Sequence, residues 1–398
     1  MLIGIVGKPN VGKSAFFRSL TLADAPSGNF PFTTINPNSG VAFVKVKDPA
    51  RDFNKVSNPR EGYVLGEYRF VPVQVIDVAG LVPGAHEGKG LGNKFLDDLR
   101  QADAFIHVID LSGGTNANGE SVTINSYDPA NDIKFLEEEL NLWFFGVLEK
   151  HWISISRRMK QQEMKVEVAL ASVMTGLNIS EKQISQAIID LKLDKETMES
   201  KLMELAIRLR EITKPMVIAA NKCDVLQDND LWEKKLNDLK KQFPQYLIVP
   251  VMAEYEWNIK QAAKAGILEY IPGESTFTIK DPSKLNDRQK TGLAQIQAVL
   301  SKMKSSGIQQ CINAAVFDLL KKKQIFPGGL SKLEDSQGRC LPDCFLMDEK
   351  ATALDFAFRL HTDFGKTFIQ AIDVKRRIPV GKDTPLQPGD IIEIKAGK

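Results

Sequence analysis

The chain begins with an apolar run that leads directly into a loop bounded by two glycines. The loop and the start of the next segment consist of Gly7, Lys8, Pro9, Asn10, Val11, Gly12, Lys13 and Ser14. Two glycines at this spacing, followed by lysine and serine, are typical of a phosphate-binding loop between a buried strand and a helix. The glycines let backbone N–H groups surround a phosphate, the lysine reaches the β- and γ-phosphates, and the serine hydroxyl binds Mg²⁺. The sequence therefore predicts a nucleotide-binding α/β domain with Lys13 as a catalytic cation.

Further apolar runs alternate with helical stretches along the chain, at 71–77, 104–110, 216–221 and 247–251. This alternation predicts a parallel sheet covered on both faces. Residues 133–212 have helical periodicity and are far longer than one crossover helix, which predicts an inserted antiparallel helical hairpin or coiled coil. Short strands and turns after Pro327 predict a small α+β domain. We expect a nucleotide-binding domain in two parts, 1–132 and 213–310, around the insertion 133–212, followed by a domain at 311–398.

Composition limits the cellular setting and the partners. The 398 residues carry a formal net charge of +2, so the whole chain is not a strongly basic nucleic-acid binder. No apolar run approaches the ~20 residues needed to cross a bilayer. Four cysteines in so long a chain suggest a reducing compartment. Cys340 and Cys344 have the spacing of half a zinc site, but no second close pair exists, so reduced thiols are the favoured interpretation. We expect a cytoplasmic monomer without a membrane or DNA partner.

A second phosphate-side motif follows the predicted strand 71–77. Asp77 ends that strand, and Gly80 stands three residues later. Behind a phosphate-binding loop, an aspartate at this point is directed at Mg²⁺, and the Gly80 N–H meets the γ-phosphate. The glycine-rich segment 81–92 that follows suits a loop that responds to the γ-phosphate. The sequence therefore predicts that Asp77 and Ser14 bind the metal and that Gly80 contributes to phosphate binding and catalysis.

The predicted strand 216–221 also ends in a polar motif, Asn221, Lys222, Cys223 and Asp224. The Asp224 carboxylate can accept two hydrogen bonds from the N1–H and N2–H₂ edge of guanine, an edge that adenine lacks. A mismatched base would leave a desolvated carboxylate unpaired. We expect Asn221 to brace the loop, the Lys222 stem to cover the purine, and the Ala253 backbone to contact guanine O6.

A threonine pair lies between the phosphate-binding loop and Asp77. Thr33 and Thr34 are adjacent candidates to complete the Mg²⁺ shell when a triphosphate is bound. The alternative is a proline-bounded turn. The residues alone leave both threonines open.

Together these segments resemble the Obg-related GTPases, most closely the YchF (Obg-like ATPase) subfamily. The resemblance is carried by residues 7–14, 29–38, 77–85, 88–96, 353–363 and 388–392. It implies a P-loop NTPase of the Ras-like G-domain type, with an inserted helical hairpin and a C-terminal β-grasp domain called TGS. It further implies a Mg²⁺-dependent GTPase acting as a slow switch, with a ribosome or RNA partner.

The resemblance also assigns individual roles. Thr34, rather than Thr33, matches the family's metal-binding threonine. Leu81 stands where Ras-like proteins carry a water-orienting glutamine, so slow intrinsic hydrolysis is expected. Asn10 matches the position at which related GTPases bind a potassium ion beside the phosphates. The loop 113–119 lacks the histidine of the bacterial members, which leaves His86 as the nearby histidine.

Two alternatives remain for the function. Many members of the subfamily have lost the guanine motif and prefer ATP, whereas Asn221 to Asp224 is intact here, so GTP is predicted and an ATPase is the alternative. A second alternative is a ribosome- or RNA-binding module in which hydrolysis only times release. Its candidate contact residues are the basic clusters Lys150, Arg157, Arg158, Lys160 and Lys165 in the insertion and Lys375, Arg376 and Arg377 near the C-terminus.

Overall fold

A computed structural model describes residues 1–22, 38–78, 99–161, 165–174, 177, 179–194, 197–226 and 231–397. Its centre is a seven-stranded sheet made of β1 (Leu2–Val6), β2 (Ser39–Lys47), β3 (Tyr63–Leu65), β4 (Tyr68–Asp77), β5 (Ala104–Asp110), β6 (Met216–Asn221) and β7 (Leu247–Pro250). The strand order is β2-β4-β1-β5-β6-β7, and β3 pairs with β4. This is the P-loop α/β architecture that the sequence predicts.

The sheet is mixed rather than wholly parallel. β1, β4, β5, β6 and β7 run parallel to one another, as expected. β2 and β3 pair with β4 in the antiparallel sense. The prediction missed β2 because polar residues stand at both of its ends, and it missed β3 because three residues are too few to show a strand pattern. β4 is also three residues longer than predicted, since pairing with β2 extends it to Tyr68.

The helices of the nucleotide-binding domain lie on both faces of this sheet. α1 (Lys13–Thr21) follows the phosphate-binding loop. The second half of the domain contains α6 (Leu231–Gln242), α7 (Ala253–Lys264), α8 (Asp287–Met303), α9 (Ile308–Asn313) and the small hairpin β8 (Leu268–Tyr270) and β9 (Phe277–Ile279). A turn at Gly307, whose φ of 83° few other residues adopt, separates α8 from α9.

The insertion is helical, as expected, but has more helices than a simple hairpin. Its helices are α2 (Ala130–Gln161), α3 (Val166–Met174), α4 (Glu181–Leu191) and α5 (Leu202–Thr213). α2 has 32 residues and spans roughly 48 Å, whereas the 12 residues of α5 span roughly 18 Å. α5 is therefore too short to cover the whole of α2. Arg210 Nε donates to Asn141 Oδ1 at 3.0 Å, which places the end of α5 beside the N-terminal half of α2.

The C-terminal domain is a five-stranded β-grasp sheet with helices on one face. Its elements are β10 (Lys322–Pro327), β11 (Phe345–Asp348), α10 (Ala353–Leu360), α11 (Thr362–Lys366), β12 (Phe368–Asp373), β13 (Ile378–Val380) and β14 (Ile391–Ala396). The strand order is β11-β10-β14-β12-β13. Thr352 caps α10 by accepting a hydrogen bond from the Asp355 N–H. Phe326 and Leu341 share a buried core with Val71 of the central sheet, so this domain is docked onto the nucleotide-binding domain.

Among the described residues, no helix combines the length and the apolar character that a membrane crossing requires.

Candidate nucleotide-binding site

The loop from Gly7 to Gly12 turns tightly between β1 and α1. Gly7 has a φ of 150° and Gly12 a φ of 94°, both in the region that favours glycine. A Cβ at Gly7 would stand 2.4 Å from the Val108 carbonyl oxygen, and one at Gly12 would stand 2.3 Å from Asn221 Nδ2. The spacing of the two glycines is therefore required by the strands and loops that pack behind them.

A cleft of about 400 Å³ opens where α1 begins. This volume is within the usual range for small-molecule sites. The structure brings residues from both ends of the chain's nucleotide-binding domain to this cleft. Its lining consists of Asn10, Gly12, Lys13, Ser14, Ala15, Arg18, Asn221, Lys222, Asp224, Val225 and Glu254.

Lys13 and Asp77 form the charged centre of the phosphate end. The parallel pairing of β1 with β4 sets Asp77 beside Ile5, just before the phosphate-binding loop. Burial lowers the pKa of Lys13 and raises that of Asp77, and each charge partly offsets the shift of the other. Within the described part of the chain, the buried Asp77 Oδ1 has no hydrogen-bond partner. A carboxylate oxygen in this condition fits a hard cation such as Mg²⁺, which prefers oxygen ligands.

Asn221 connects the two ends of the cleft. Its Nδ2 donates to the Val11 carbonyl at 2.9 Å, and its Oδ1 accepts from the Ala253 N–H at 3.1 Å. The side chain is 3% exposed, so these bonds are shielded from water. One buried amide thus fixes the phosphate-binding loop relative to the loop after β7. Because the Ala253 N–H is used in this way, the predicted contact of that group with guanine O6 does not fit the structure.

Asp224 and Lys222 form the base end. Burial, followed by the neighbouring Glu254 charge, raises the pKa of Asp224, although a hydrogen bond from its own N–H opposes this. Lys222 has a φ of 65° and its Nζ lies 2.9 Å from Asp110 Oδ2. Asp110 is buried and also accepts from the Thr115 hydroxyl at 3.0 Å. The Lys222 side chain is therefore held in one place beside the cleft.

Two residues of the phosphate-binding loop direct their side chains away from the centre of the cleft. Lys8 is buried and its ammonium group is bound to Asp132 and to the Thr115 carbonyl, so only its backbone is available to a phosphate. Asn10 is exposed at a φ of 63°, and its Nδ2 donates to the Gly119 carbonyl at 2.8 Å. The Asn10 side-chain oxygen remains the atom for the predicted monovalent cation.

Several residues of the site were missed by sequence reasoning. Glu254 lines the cleft beside Asp224, and Arg18 lines it one helical turn after Ser14. The Arg18 guanidinium lies 5.2 Å from the Trp257 ring centroid, and Nε donates to the Ser14 carbonyl at 3.2 Å. Asp110 could have been predicted from the sequence, because it ends an apolar strand just as Asp77 does. Glu254 and Arg18 have no motif of their own.

Some predicted residues lie outside the described part of the chain. These are the threonine candidates Thr33 and Thr34, together with Gly80, Leu81 and His86. Lys160 lies within α2, but nothing is described of its side chain. For the zinc alternative, the described residues contain no group of three or more metal-binding side chains. Burial raises the pKa of Cys344 to about 12, so its thiol stays protonated at neutral pH.

The fold and the cleft define a P-loop nucleoside-triphosphate hydrolase, and comparisons with known proteins agree. Residues 2–142 match the family described as 50S ribosome-binding GTPase. Residues 219–328 match the Obg-like GTPase YGR210-like, G4 motif-containing domain, and residues 337–396 match the TGS domain.

Individual relatives narrow the family further. An uncharacterized GTP-binding protein of Methanocaldococcus jannaschii is 46% identical over 99% of this chain and 98% of its own length. The ribosome-binding ATPase YchF of Haemophilus ducreyi is 29% identical over 92% of this chain and 86% of its own length. The crystal structure of a GTP-binding protein from Pyrococcus horikoshii has 34% identity and a TM-score of 0.79, with both chains fully covered. The chain belongs to the YchF-type, Obg-related GTP-binding proteins with a C-terminal TGS domain.

Proposed function

We propose that this protein is a Mg²⁺-dependent GTPase that hydrolyses GTP to GDP and phosphate and acts as a slow switch. The observation that carries the proposal is the pairing of Asp224 with the phosphate-binding loop across one cleft. Asn221 holds both ends through two buried hydrogen bonds. A nucleotide whose phosphates occupy the loop would therefore present its base to Asp224.

Selection of guanine follows from the two hydrogen bonds that its N1–H and N2–H₂ edge can donate to the Asp224 carboxylate. Adenine lacks these donors, so its binding would cost desolvation of the carboxylate without that return. For guanine O6, the Glu254 N–H replaces the Ala253 N–H in our assignment. It belongs to the first turn of α7, where N–H groups have no partner within the helix.

The metal and the hydrolytic groups come from both described and undescribed residues. We propose that Ser14, Asp77 and Thr34 hold Mg²⁺, which would neutralise charge that develops on the transferred phosphate. Lys13 would bind the β- and γ-phosphates, and the Gly80 N–H would meet the γ-phosphate. Asn10 is the proposed ligand of a potassium ion. With Leu81 in the glutamine position, we expect slow hydrolysis.

Nucleotide competition tests the base assignment. A fluorescent GTP analogue bound to the protein should be displaced by GTP at far lower concentration than by ATP. Asp224→Asn should weaken GTP binding by about 100-fold or more and favour xanthosine triphosphate. Asp238→Asn, which removes an exposed carboxylate from α6, is the matched control and should leave the ranking unchanged. Unchanged GTP affinity in Asp224→Asn would overturn the base assignment.

An ATPase on the same scaffold is the second candidate. It is favoured by the relatives of several bacteria, which are named ribosome-binding ATPases at 25–29% identity. The same competition assay separates the candidates, because an ATPase would be occupied by ATP at least as readily as by GTP.

We further propose that the partner is the ribosome or another RNA, and that the insertion makes the contact. Lys150, Ile153 and Arg157 are exposed along one face of α2. At the C-terminus, Lys375 pairs with Asp52 at 2.7 Å and Arg376 with Asp373 at 2.6 Å, so these cations are partly neutralised within the protein. Alanine at Lys150 and Arg157 should reduce ribosome co-sedimentation and its salt dependence. Alanine at Lys240 and Lys241, at the exposed end of α6, is the control.

A further inference from the structure

A buried ion pair joins the phosphate-binding loop to the helical insertion. The Lys8 Nζ lies 2.8 Å from Asp132 Oδ1, and the two side chains are 3% and 4% exposed. Lys8 also donates to the Thr115 carbonyl at 2.9 Å and lies 3.8 Å from the Tyr127 ring centroid. The Tyr127 hydroxyl donates to the same Asp132 oxygen at 3.0 Å. Both partners are thus fixed in position by further contacts.

Stability alone does not account for this pair. Charges removed from water lose much of their hydration energy, and apolar residues of similar size are often equally stabilising. Removal of one partner, in contrast, leaves an uncompensated buried charge. The pair instead fixes the distance between the two segments that carry Lys8 and Asp132.

Those two segments belong to different parts of the molecule. Lys8 lies between Gly7 and Gly12, in the loop that surrounds the phosphates. Asp132 lies in the first turn of α2, the 32-residue helix that forms the insertion's longest element. The connecting segment 111–127 also contacts the phosphate-binding loop, since a Cβ at Gly119 would stand 2.7 Å from the Pro9 carbonyl oxygen.

We propose that Asp132 is a positioning residue for the phosphate-binding loop and that, through Lys8, it couples nucleotide binding to the order of α2. Neither side chain lines the cleft, so both act through the backbone of the loop. Coupling between two sites is reciprocal: nucleotide stabilises the first turn of α2, and α2 strengthens nucleotide binding. The inference rests on nucleotide binding in the cleft, and it is independent of the base and of the RNA partner.

The test replaces the pair by apolar residues in the full-length protein. Lys8→Met combined with Asp132→Leu removes both charges and leaves neither unpaired. A fluorescent GDP analogue should bind this variant about 5- to 150-fold more weakly. In the wild type, GDP should slow amide hydrogen exchange in residues 130–136; in the double variant, saturating GDP should not change it. Lys134→Met, an exposed lysine in the same helix turn, is the matched control.

The outcomes separate this inference from the proposed function. Wild-type GDP affinity together with nucleotide-dependent exchange in the double variant would overturn the coupling. A wild-type protein that bound no GDP analogue would overturn the proposed function instead. Tyr127→Phe keeps the ion pair and removes one bond to Asp132, so a smaller loss of affinity than in the double variant is expected. A loss as large as in the double variant would contradict the role of the ion pair.

Discussion

The insertion and the C-terminal domain are attached to the nucleotide-binding domain in different ways. The C-terminal domain docks through Arg69 of β4, whose guanidinium is buried and donates to the Leu341 and Pro342 carbonyls. None of these residues lines the nucleotide cleft. The insertion is attached by a pair whose lysine lies in the phosphate-binding loop itself. A well-anchored domain therefore need not respond to nucleotide, because the response depends on where the anchor lies.

The largest expected effect concerns the anchor of the C-terminal domain. Among the described residues, Arg69→Ala leaves the buried Leu341 carbonyl without a donor, whereas the Pro342 carbonyl keeps the bond from the Arg60 N–H. The variant should lower the free energy of unfolding by about 1–3 kcal/mol. Nucleotide affinity should change less than about twofold, within the usual additivity error for distant sites. Urea denaturation and nucleotide titration measure the two quantities. Arg60→Ala, which removes surface ion pairs with Asp335 and Asp343, should cost less than about 1 kcal/mol.

A change inside the cleft should affect nucleotide affinity more than the free energy of unfolding. Gly12→Ala places a Cβ 2.3 Å from Asn221 Nδ2 at a φ of 94°. Displacement of Asn221 should weaken nucleotide binding by at least about tenfold, equal to about 1.4 kcal/mol. Gly266→Ala is the control, because Gly266 has a φ of 71° but no neighbour within 4 Å. Wild-type nucleotide affinity in Gly12→Ala would contradict the role given to Asn221.

Acid should affect the cleft before it affects the C-terminal junction. Asp224 must be ionised to accept the guanine edge, and burial and Glu254 raise its pKa. Binding is therefore complete above that pKa and is lost as the pH falls through it. GDP affinity should therefore begin to fall at a higher pH than an ordinary aspartate, with a pKa of about 3.9, would allow. Glu254→Gln should move the loss to lower pH, since it removes the neighbouring charge.

Asp335, at the junction with the C-terminal domain, differs from Asp224 in the direction of its pKa shift. Hydrogen bonds from the Arg339 backbone and then from the Arg339 and Arg60 side chains hold its pKa below the usual range. Its contribution to stability is present above its unfolded-state pKa and is lost only at still lower pH. The stabilising contribution of Asp335 should therefore be the same at pH 7.5 and 5.5, which thermal unfolding of the wild type and of Asp335→Asn measures at both pH values. A parallel loss of stability and GDP affinity would contradict this difference.

The smallest effect is expected at the rim of the C-terminal junction. Lys375→Ala removes the pair with Asp52, in which both side chains are partly exposed. We expect a change in unfolding free energy of about 0.2–1 kcal/mol and no change in nucleotide binding. Chemical denaturation at low and high salt measures it, and a salt-independent loss above 1 kcal/mol would mean that the junction depends on this pair.

Local patterns in the sequence were sufficient to predict the central fold. The phosphate-binding loop, the strand that ends at Asp77 and the strand that ends at Asn221 each carry their own motif. The edge strand β2 carries none, and it pairs with β4 across at least 21 positions, from Lys47 to Tyr68. β3 pairs with β4 locally, but its three residues are too few to show a pattern. The number of helices in the insertion likewise depends on tertiary packing, because α3, α4 and α5 are each shorter than α2.

Residues of the candidate site were predictable from the sequence only where a motif assigns one role to the side chain. Lys8 belongs to the phosphate-binding motif, yet its side chain pairs with Asp132, 124 positions away along the chain. Ala253 was assigned from its position after an apolar strand, but Asn221 takes its N–H. The spacing of residues in a motif predicts neither of these hydrogen-bond partners. Each partner is set by which buried acceptors of the folded chain lie within reach of the same donor.

Hydrogen exchange of the wild-type protein, with and without GDP, tests the difference between the two attachments most directly. We predict that GDP slows exchange in the segment 111–136, which joins the phosphate-binding loop to α2. Exchange in the C-terminal sheet, residues 322–396, should be the same in both conditions. Protection of the C-terminal sheet by GDP, with no change in 111–136, would contradict a coupling of nucleotide to α2 through Lys8 and Asp132.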